Sequence, residues 1–148
     1  MVFNMFIGEY THTVDEKKRI SLPSRFKKEL GTKVVVTRGL DNCLFLFTHK
    51  AWTNISTEMG KLDMKQADAR GFARFMFGGA LEIDVDSMGR ILIPDYLKEF
   101  ADLKSPVVFA GLNDRIEIWN EKRWKTYNKR IESEVEGLAE KLSNIGVR

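Results

Sequence analysis

Residues 86–94 read DSMGRILIP, and residues 15–23 read DEKKRISLP. In both, an Asp stands four positions before an Arg, and the Arg stands four before a Pro. The correspondence runs outward from there. At an offset of 71 positions Gly8 falls on Gly79, Val14 on Val85, Ile20 on Ile91, Leu22 on Ile93 and Leu30 on Ala101. One residue enters the second copy near 104–106. Beyond it, at an offset of 72, GLDNCLFLF (39–47) lies over GLNDRIEIW (111–119) and Trp52 over Trp124. A repeat met only twice predicts one closed domain with pseudo-twofold symmetry, because a solenoid needs more units to bury its faces.

The pattern within each copy predicts its elements. EYTHTVD (9–15) and LEIDVD (81–86) have β-prone positions, and RISLP (19–23) and RILIP (90–94) resume with apolar residues at alternate sites. The Asp–Arg segment is therefore a tight corner between two strands. Pro23 and Pro94 suit the first turn of a helix, where a missing N–H costs nothing. SRFKKEL (24–30) and DYLKEFA (95–101) supply short amphipathic helices. KVVVTRG (33–39) and PVVFAG (106–111) read as buried strands, each leading into a hairpin that turns at Asp-Asn or Asn-Asp. Residues 51–76 read as helical with a break around 60–63. In the second part Ala69, Phe72, Ala73 and Met76 share a stripe. At the C-terminus Trp124, Tyr127, Ile131, Val135, Leu138 and Leu142 form one apolar face of a long helix, which packs on its own domain or, in part, on another subunit.

The bulk numbers exclude several classes. A chain of 148 residues that is 43% hydrophobic and 30% charged is an ordinary globular protein. No run of eighteen apolar residues is present, and the N-terminus has no basic segment before Glu9, so neither a membrane span nor a secretory signal is expected. The expected compartment is the cytoplasm. The net charge of +3 leans only slightly towards an anionic partner. Its distribution is more informative. Lys17, Lys18, Arg19, Arg25, Lys27 and Lys28 crowd the first copy, whereas the matching stretch of the second has only Arg90 and Lys98.

Two copies of D-x-x-x-R followed by Pro, each trailed by a GL[DN][ND] element and a Trp, resemble the MraZ family. The resemblance rests on MFIGEYTHTVDEKKRISLPSRFKKEL (5–30), VVTRGLDNCLFLF (35–47) and GRILIPDYLKEFADL (89–103), in that order. It implies a bacterial transcriptional regulator with an α+β, β-rich fold: a double swapped-hairpin, AbrB-like barrel formed by two internal repeats, with peripheral helices. The expected division is a first SpoVT/AbrB-like repeat at 8–50, a helical connector at 51–78, a second repeat at 79–122 and an amphipathic helix at 123–148. The resemblance further implies a ring-shaped homo-oligomer, associated with the nucleoid. Its partner would be double-stranded DNA, namely the promoter direct repeats of a division and cell-wall gene cluster, on which it acts as a repressor. No cofactor, membrane partner or enzymatic activity is expected.

A two-stranded ribbon or its turn is slim enough to enter the major groove. Arg19 and Arg90, one per copy, are the candidates for base contact, while Lys17, Lys18, Arg25, Lys27 and Lys28 are candidates for phosphate contact. Asp15, Asp86, Gly89, Pro23 and Pro94 are read as structural partners of the motif. Each Asp–Arg pair has a second reading, as an intramolecular salt bridge that pins its corner and touches no ligand; both can hold if the Asp orients an Arg that also meets DNA. Lys18 departs from the family pattern, which has Gly where the second corner has Gly89. A Lys there implies strain or an altered turn, so the two corners are expected to differ in geometry, or Lys18 adds a phosphate contact.

Other residues point to less. His12, His49 and Cys43 lack ligand-like spacing, so no metal site is expected, and Cys43 reads as a small core residue. No phosphate-binding Gly-rich loop or nucleophile elbow is present. Trp52 and Trp124 occupy matched places in the repeat and read as core anchors, although Trp52, Trp119 and Trp124 are also residues on which bases stack. The alternative to a DNA-binding regulator is a ring-forming adaptor that binds proteins and whose basic corner is solvated surface.

Overall fold

The computed structural model of the chain describes residues 5–146; Val147 and Arg148, at the end of the expected C-terminal helix, lie outside them. The first copy contributes β1 (Phe6–His12), β2 (Arg19–Ser21), α1 (Ser24–Leu30), β3 (Lys33–Arg38) and β4 (Leu44–Thr48). Two helices follow, α2 (His49–Met59) and α3 (Ala67–Gly78), separated by an irregular stretch that begins at Gly60. The second copy contributes β5 (Leu81–Asp84), β6 (Arg90–Leu92), α4 (Asp95–Ala101), β7 (Val107–Asn113) and β8 (Ile116–Asn120), and α5 (Glu121–Asn144) closes the chain. Pro23 and Pro94 stand at the N-caps of α1 and α4, one position earlier than expected, with φ of −55° and −66°. Helices α2 and α5 start alike: the Thr48 hydroxyl accepts from Ala51 N at 3.0 Å and the Asn120 side-chain Oδ1 from Arg123 N at 3.1 Å.

The strands pair across the repeat boundary. A six-stranded antiparallel sheet runs in the order β1-β7-β8-β4-β3-β5, and β2 pairs with β6 in a separate ribbon. Exchanging the copies reverses the six-stranded order and leaves it unchanged, which is the pseudo-twofold symmetry that the repeat predicts. The axis passes through pairs of equivalent residues, Ile20 opposite Ile91 in the ribbon and Phe45 opposite Glu117 in the sheet. The closed barrel implied by the resemblance does not form among the described residues. Strands β1 and β5 end the sheet at opposite edges. The ribbon strands are three residues each, and on the first-copy side only an isolated Val14–Ile20 bridge joins the ribbon towards β1.

Both faces of the sheet are covered. Val34, Val36, Leu44, Leu46, Phe109, Ile116 and Ile118 point to the face closed by the ribbon and by α1 and α4, whose Ile20, Ile91, Leu22, Ile93, Phe26 and Leu97 complete that core. Val108, Phe45, Phe47, Cys43 and Trp119 point to the other face, where α2, α3 and α5 bring Trp52, Met76, Trp124 and Tyr127. Trp52 stacks near Phe47 (5.7 Å between centroids) and Trp124 near Trp119 (5.3 Å), so both act as core anchors. Burial on both faces explains why β3 and β4 read as continuous apolar runs instead of alternating. The outer half of α5 is different: Val135 and Leu142 remain 50% and 47% exposed.

The edge strand β1 lies close against β7. Gly8 is opposite Gly111, and a Cβ at Gly111 would stand 2.6 Å from Ile7 N and 2.7 Å from the Phe6 carbonyl carbon. Those are backbone atoms, so relief requires β1 to move. Gly111→Ala is expected to lower stability by about 1–3 kcal/mol, read as a fall in the urea midpoint with an unchanged slope.

Candidate nucleic-acid interface

Both corners are built by a single carboxylate. In the first, Asp15 Oδ1 accepts from Lys17 N (2.9 Å) and Arg19 N (2.8 Å), while Asp15 N donates to Arg19 O (2.9 Å) and Lys18 N to Asp15 O (3.0 Å). In the second, Asp86 Oδ1 accepts from Met88 N and Arg90 N, both at 2.9 Å, while Asp86 N donates to Arg90 O and Gly89 N to Asp86 O, again both at 2.9 Å. Asp is suited to this because its short side chain reaches the backbone N–H two residues on.

The expected difference between the corners is therefore overturned. Lys18 has φ of 65° and Gly89 of 76°, so both adopt the left-handed conformation. The Asp15 hydrogen bonds hold Lys18 there against a steric preference of about 1–2 kcal/mol.

The tertiary fold brings the two corners together. Because β2 and β6 pair around Ile20 and Ile91, Arg19 lies opposite Leu92 and Arg90 opposite Ser21. Each Arg meets its own Asp through Nε, at 3.2 Å for Arg19–Asp15 and 2.9 Å for Arg90–Asp86. Each also approaches the other copy's Asp: Arg19 Nη1 is 3.9 Å from Asp86 Oδ2, and Arg90 Nη1 is 3.8 Å from Asp15 Oδ2. The four charges cancel, and the network is open to solvent, with the Arg side chains 29% and 25% exposed. The Asp–Arg pairs are thus intramolecular salt bridges, as one reading of the spacing expected. The same contacts aim both guanidiniums from one place while engaging chiefly their Nε donors.

The lysines and Arg25 distribute differently. Among the described residues, Lys17, Lys18, Arg25 and Lys28 have no carboxylate within ion-pair distance; all four are exposed. Arg25 and Lys28, three apart on α1, share an exposed stripe. Lys27, a candidate phosphate contact from the first copy, stands against the second corner, its Nζ 3.4 Å from Met88 O. Leu22 N likewise donates to Gly89 O at 2.9 Å. Neither contact has a signal in the spacing of residues within one copy. His12 packs edge-on to Phe109, and burial, then the Lys27 charge, hold its pKa down. Cys43 is buried, which pushes its thiol pKa up.

Asp15 and Asp86 are held below the ordinary carboxylate range, chiefly by the backbone N–H groups of Arg19 and Arg90. A depressed carboxyl contributes stability that is full above its unfolded pKa, about 3.9, and is lost as pH falls through the lower folded value. The stability difference between the wild type and the Asp15→Asn/Asp86→Asn double variant should be constant from pH 7 to about 5 and shrink below about pH 4. Lys18→Gly removes a left-handed Lys but adds the chain entropy of Gly. The net expectation is a gain of about 0.5–1 kcal/mol in chemical denaturation.

The family described as "MraZ protein, putative antitoxin-like" matches residues 5–75 and again 76–144. A protein of Moorella thermoacetica named "Transcriptional regulator MraZ" is 45% identical over 143 residues, covering 97% of this chain and 100% of the relative. Proteins with the same name from Caldicellulosiruptor saccharolyticus and Clostridium tetani are 46% and 44% identical with the same coverage.

Proposed function

The chain belongs to the MraZ family, and from that premise we propose that it is a transcriptional regulator that binds double-stranded promoter DNA in a sequence-specific way through its paired corners. The observation that carries the reading is the meeting of Arg19 and Arg90 on one solvent-exposed site, with the exposed Lys17 and Lys18 at the tip beside it. In this reading the Asp15 and Asp86 carboxylates orient the guanidiniums through Nε, and the remaining Nη donors face guanine. A bidentate Arg–guanine contact discriminates by about 1–3 kcal/mol. The Arg–Asp network is neutral, so affinity comes from Lys17, Lys18, Arg25, Lys27 and Lys28 against phosphate. That makes binding strongly salt-dependent.

The finer features follow the same line. The cross-copy strand pairing is read as a swapped-hairpin arrangement of the two repeats. The uncovered apolar half of α5 is the surface on which further copies pack into a ring. Such a ring presents several corner sites to direct repeats, and linkage of this kind raises apparent affinity by roughly 10²–10⁴. The proposed target is the promoter of a division and cell-wall gene cluster, with repression as the outcome and the cytoplasm and nucleoid as the location. The alternative, a ring-forming adaptor, draws on the same α5 stripe and on the charge balance of the Arg–Asp network.

The test is a fluorescence-anisotropy titration of duplexes carrying one or several copies of the repeat upstream of the chain's own gene, beside a scrambled duplex, at two salt concentrations. Binding should strengthen steeply with repeat number. Arg19→Ala and Arg90→Ala should each weaken it by about 1–3 kcal/mol with oligomer size unchanged. Equal affinity for the scrambled duplex rejects sequence-specific recognition, and no binding by folded, assembled protein favours the adaptor.

A further inference from the structure

The two corners match in shape but not in chemistry. Met88 takes the place of Lys17, and both backbone N–H groups reach the organising carboxylate at 2.9 Å. Leu92 takes the place of Ser21, and Tyr96 that of Arg25. Tyr96 is anchored, its hydroxyl donating to Gly79 O at 3.0 Å. Met88 and Leu92 are not covered: they are 66% and 54% exposed. An apolar tip thus stands two residues from Arg90, and the Lys27 ammonium borders it through Met88 O.

We infer that Met88 is a specificity-determining residue that packs on the 5-methyl group of a thymine in the major groove. This rests on the DNA-binding reading above. The thymine methyl is the one apolar group on the major-groove edge of the base pairs. An unbranched thioether suits it because it adapts to a small apolar target without a fixed geometry. The Lys27 ammonium next to it fits a contact flanked by phosphate. The consequence is direction. A symmetric scaffold with one cationic and one apolar tip distinguishes the two ends of its site, and so favours a non-palindromic box over an inverted repeat.

The test uses the full assembled protein and the repeat-bearing duplex, with each thymine in turn replaced by deoxyuridine, which lacks only the methyl group. At one or two positions the wild type should bind about fourfold more weakly, the value expected for one buried methyl-sized group. Met88→Ala should bind the thymine and deoxyuridine duplexes equally, with the wild-type salt dependence, and Met88→Leu should restore discrimination. Lys17→Ala should do the reverse, keeping discrimination while reducing the slope of log affinity against log salt by about 0.9. Discrimination at no position, or discrimination that survives Met88→Ala, overturns the inference and leaves DNA binding standing. Loss of the assembly in Met88→Ala assigns the methionine to a subunit contact and also overturns it. Absence of binding to any duplex removes the inference together with the function beneath it.

Discussion

Each copy of the repeat leaves its first strand without a partner inside that copy, and this backbone demand joins the two halves. Strand β1 finds its hydrogen bonds on β7, and β5 finds its own on β3. Buried strand edges need such partners because an unmet N–H or C=O away from water costs about 1–3 kcal/mol. The inner pair β4–β8 and the ribbon β2–β6 also cross the boundary. Among the described residues, the laddered strand pairs that stay within one copy are β3–β4 and β7–β8. Half a chain would therefore expose an unpaired edge and one side of the core containing Ile20, Ile91, Phe109 and Ile118. The halves form one folding unit.

This pairing also makes the site. The ribbon centred on Ile20 and Ile91 sets the two Asp-organised corners side by side, so four charges from two copies of the repeat become one neutral network. Neutrality divides labour between residue types. The guanidiniums are engaged by carboxylates of both copies, which under the proposed function favours recognition over raw affinity. Under the same proposal the exposed Lys17, Lys18 and Lys28 of the first copy supply the long-range attraction. The corners share their backbone hydrogen bonds and differ in side chains, among them Glu16 against Ser87, Lys17 against Met88 and Lys18 against Gly89.

The left-handed Lys18 shows how a local rule yields to a cooperative one. Propensity disfavours a β-carbon at that φ, and taken alone it argues for a different turn. The carboxylate of Asp15, however, collects two backbone N–H groups whose positions require that φ. Hydrogen bonds of this kind offset a preference of about 1–2 kcal/mol. The reverse holds for barrel closure. The apolar alternation in RISLP and RILIP correctly marks strands, yet these pair with each other in a separate ribbon and leave β1 and β5 as the two edges of the sheet.

Much of the fold is legible in the amino-acid sequence. The repeat, the helices 24–30 and 95–101, the buried strands and the matched Trp anchors follow from periodicity and self-similarity, because those signals reflect local backbone geometry and burial on fixed faces. The Asp–Arg spacing made two intramolecular salt bridges one of its two readings, since residues across a tight corner lie within reach of each other, and the structure forms both. Tertiary structure alone decided which copy each strand pairs with and that Asp15 faces Arg90. It also decided that Lys27 serves the corner opposite its own. These depend on where the twofold axis passes, and an axis is set by the joint packing of both copies, which no single stretch of the chain contains.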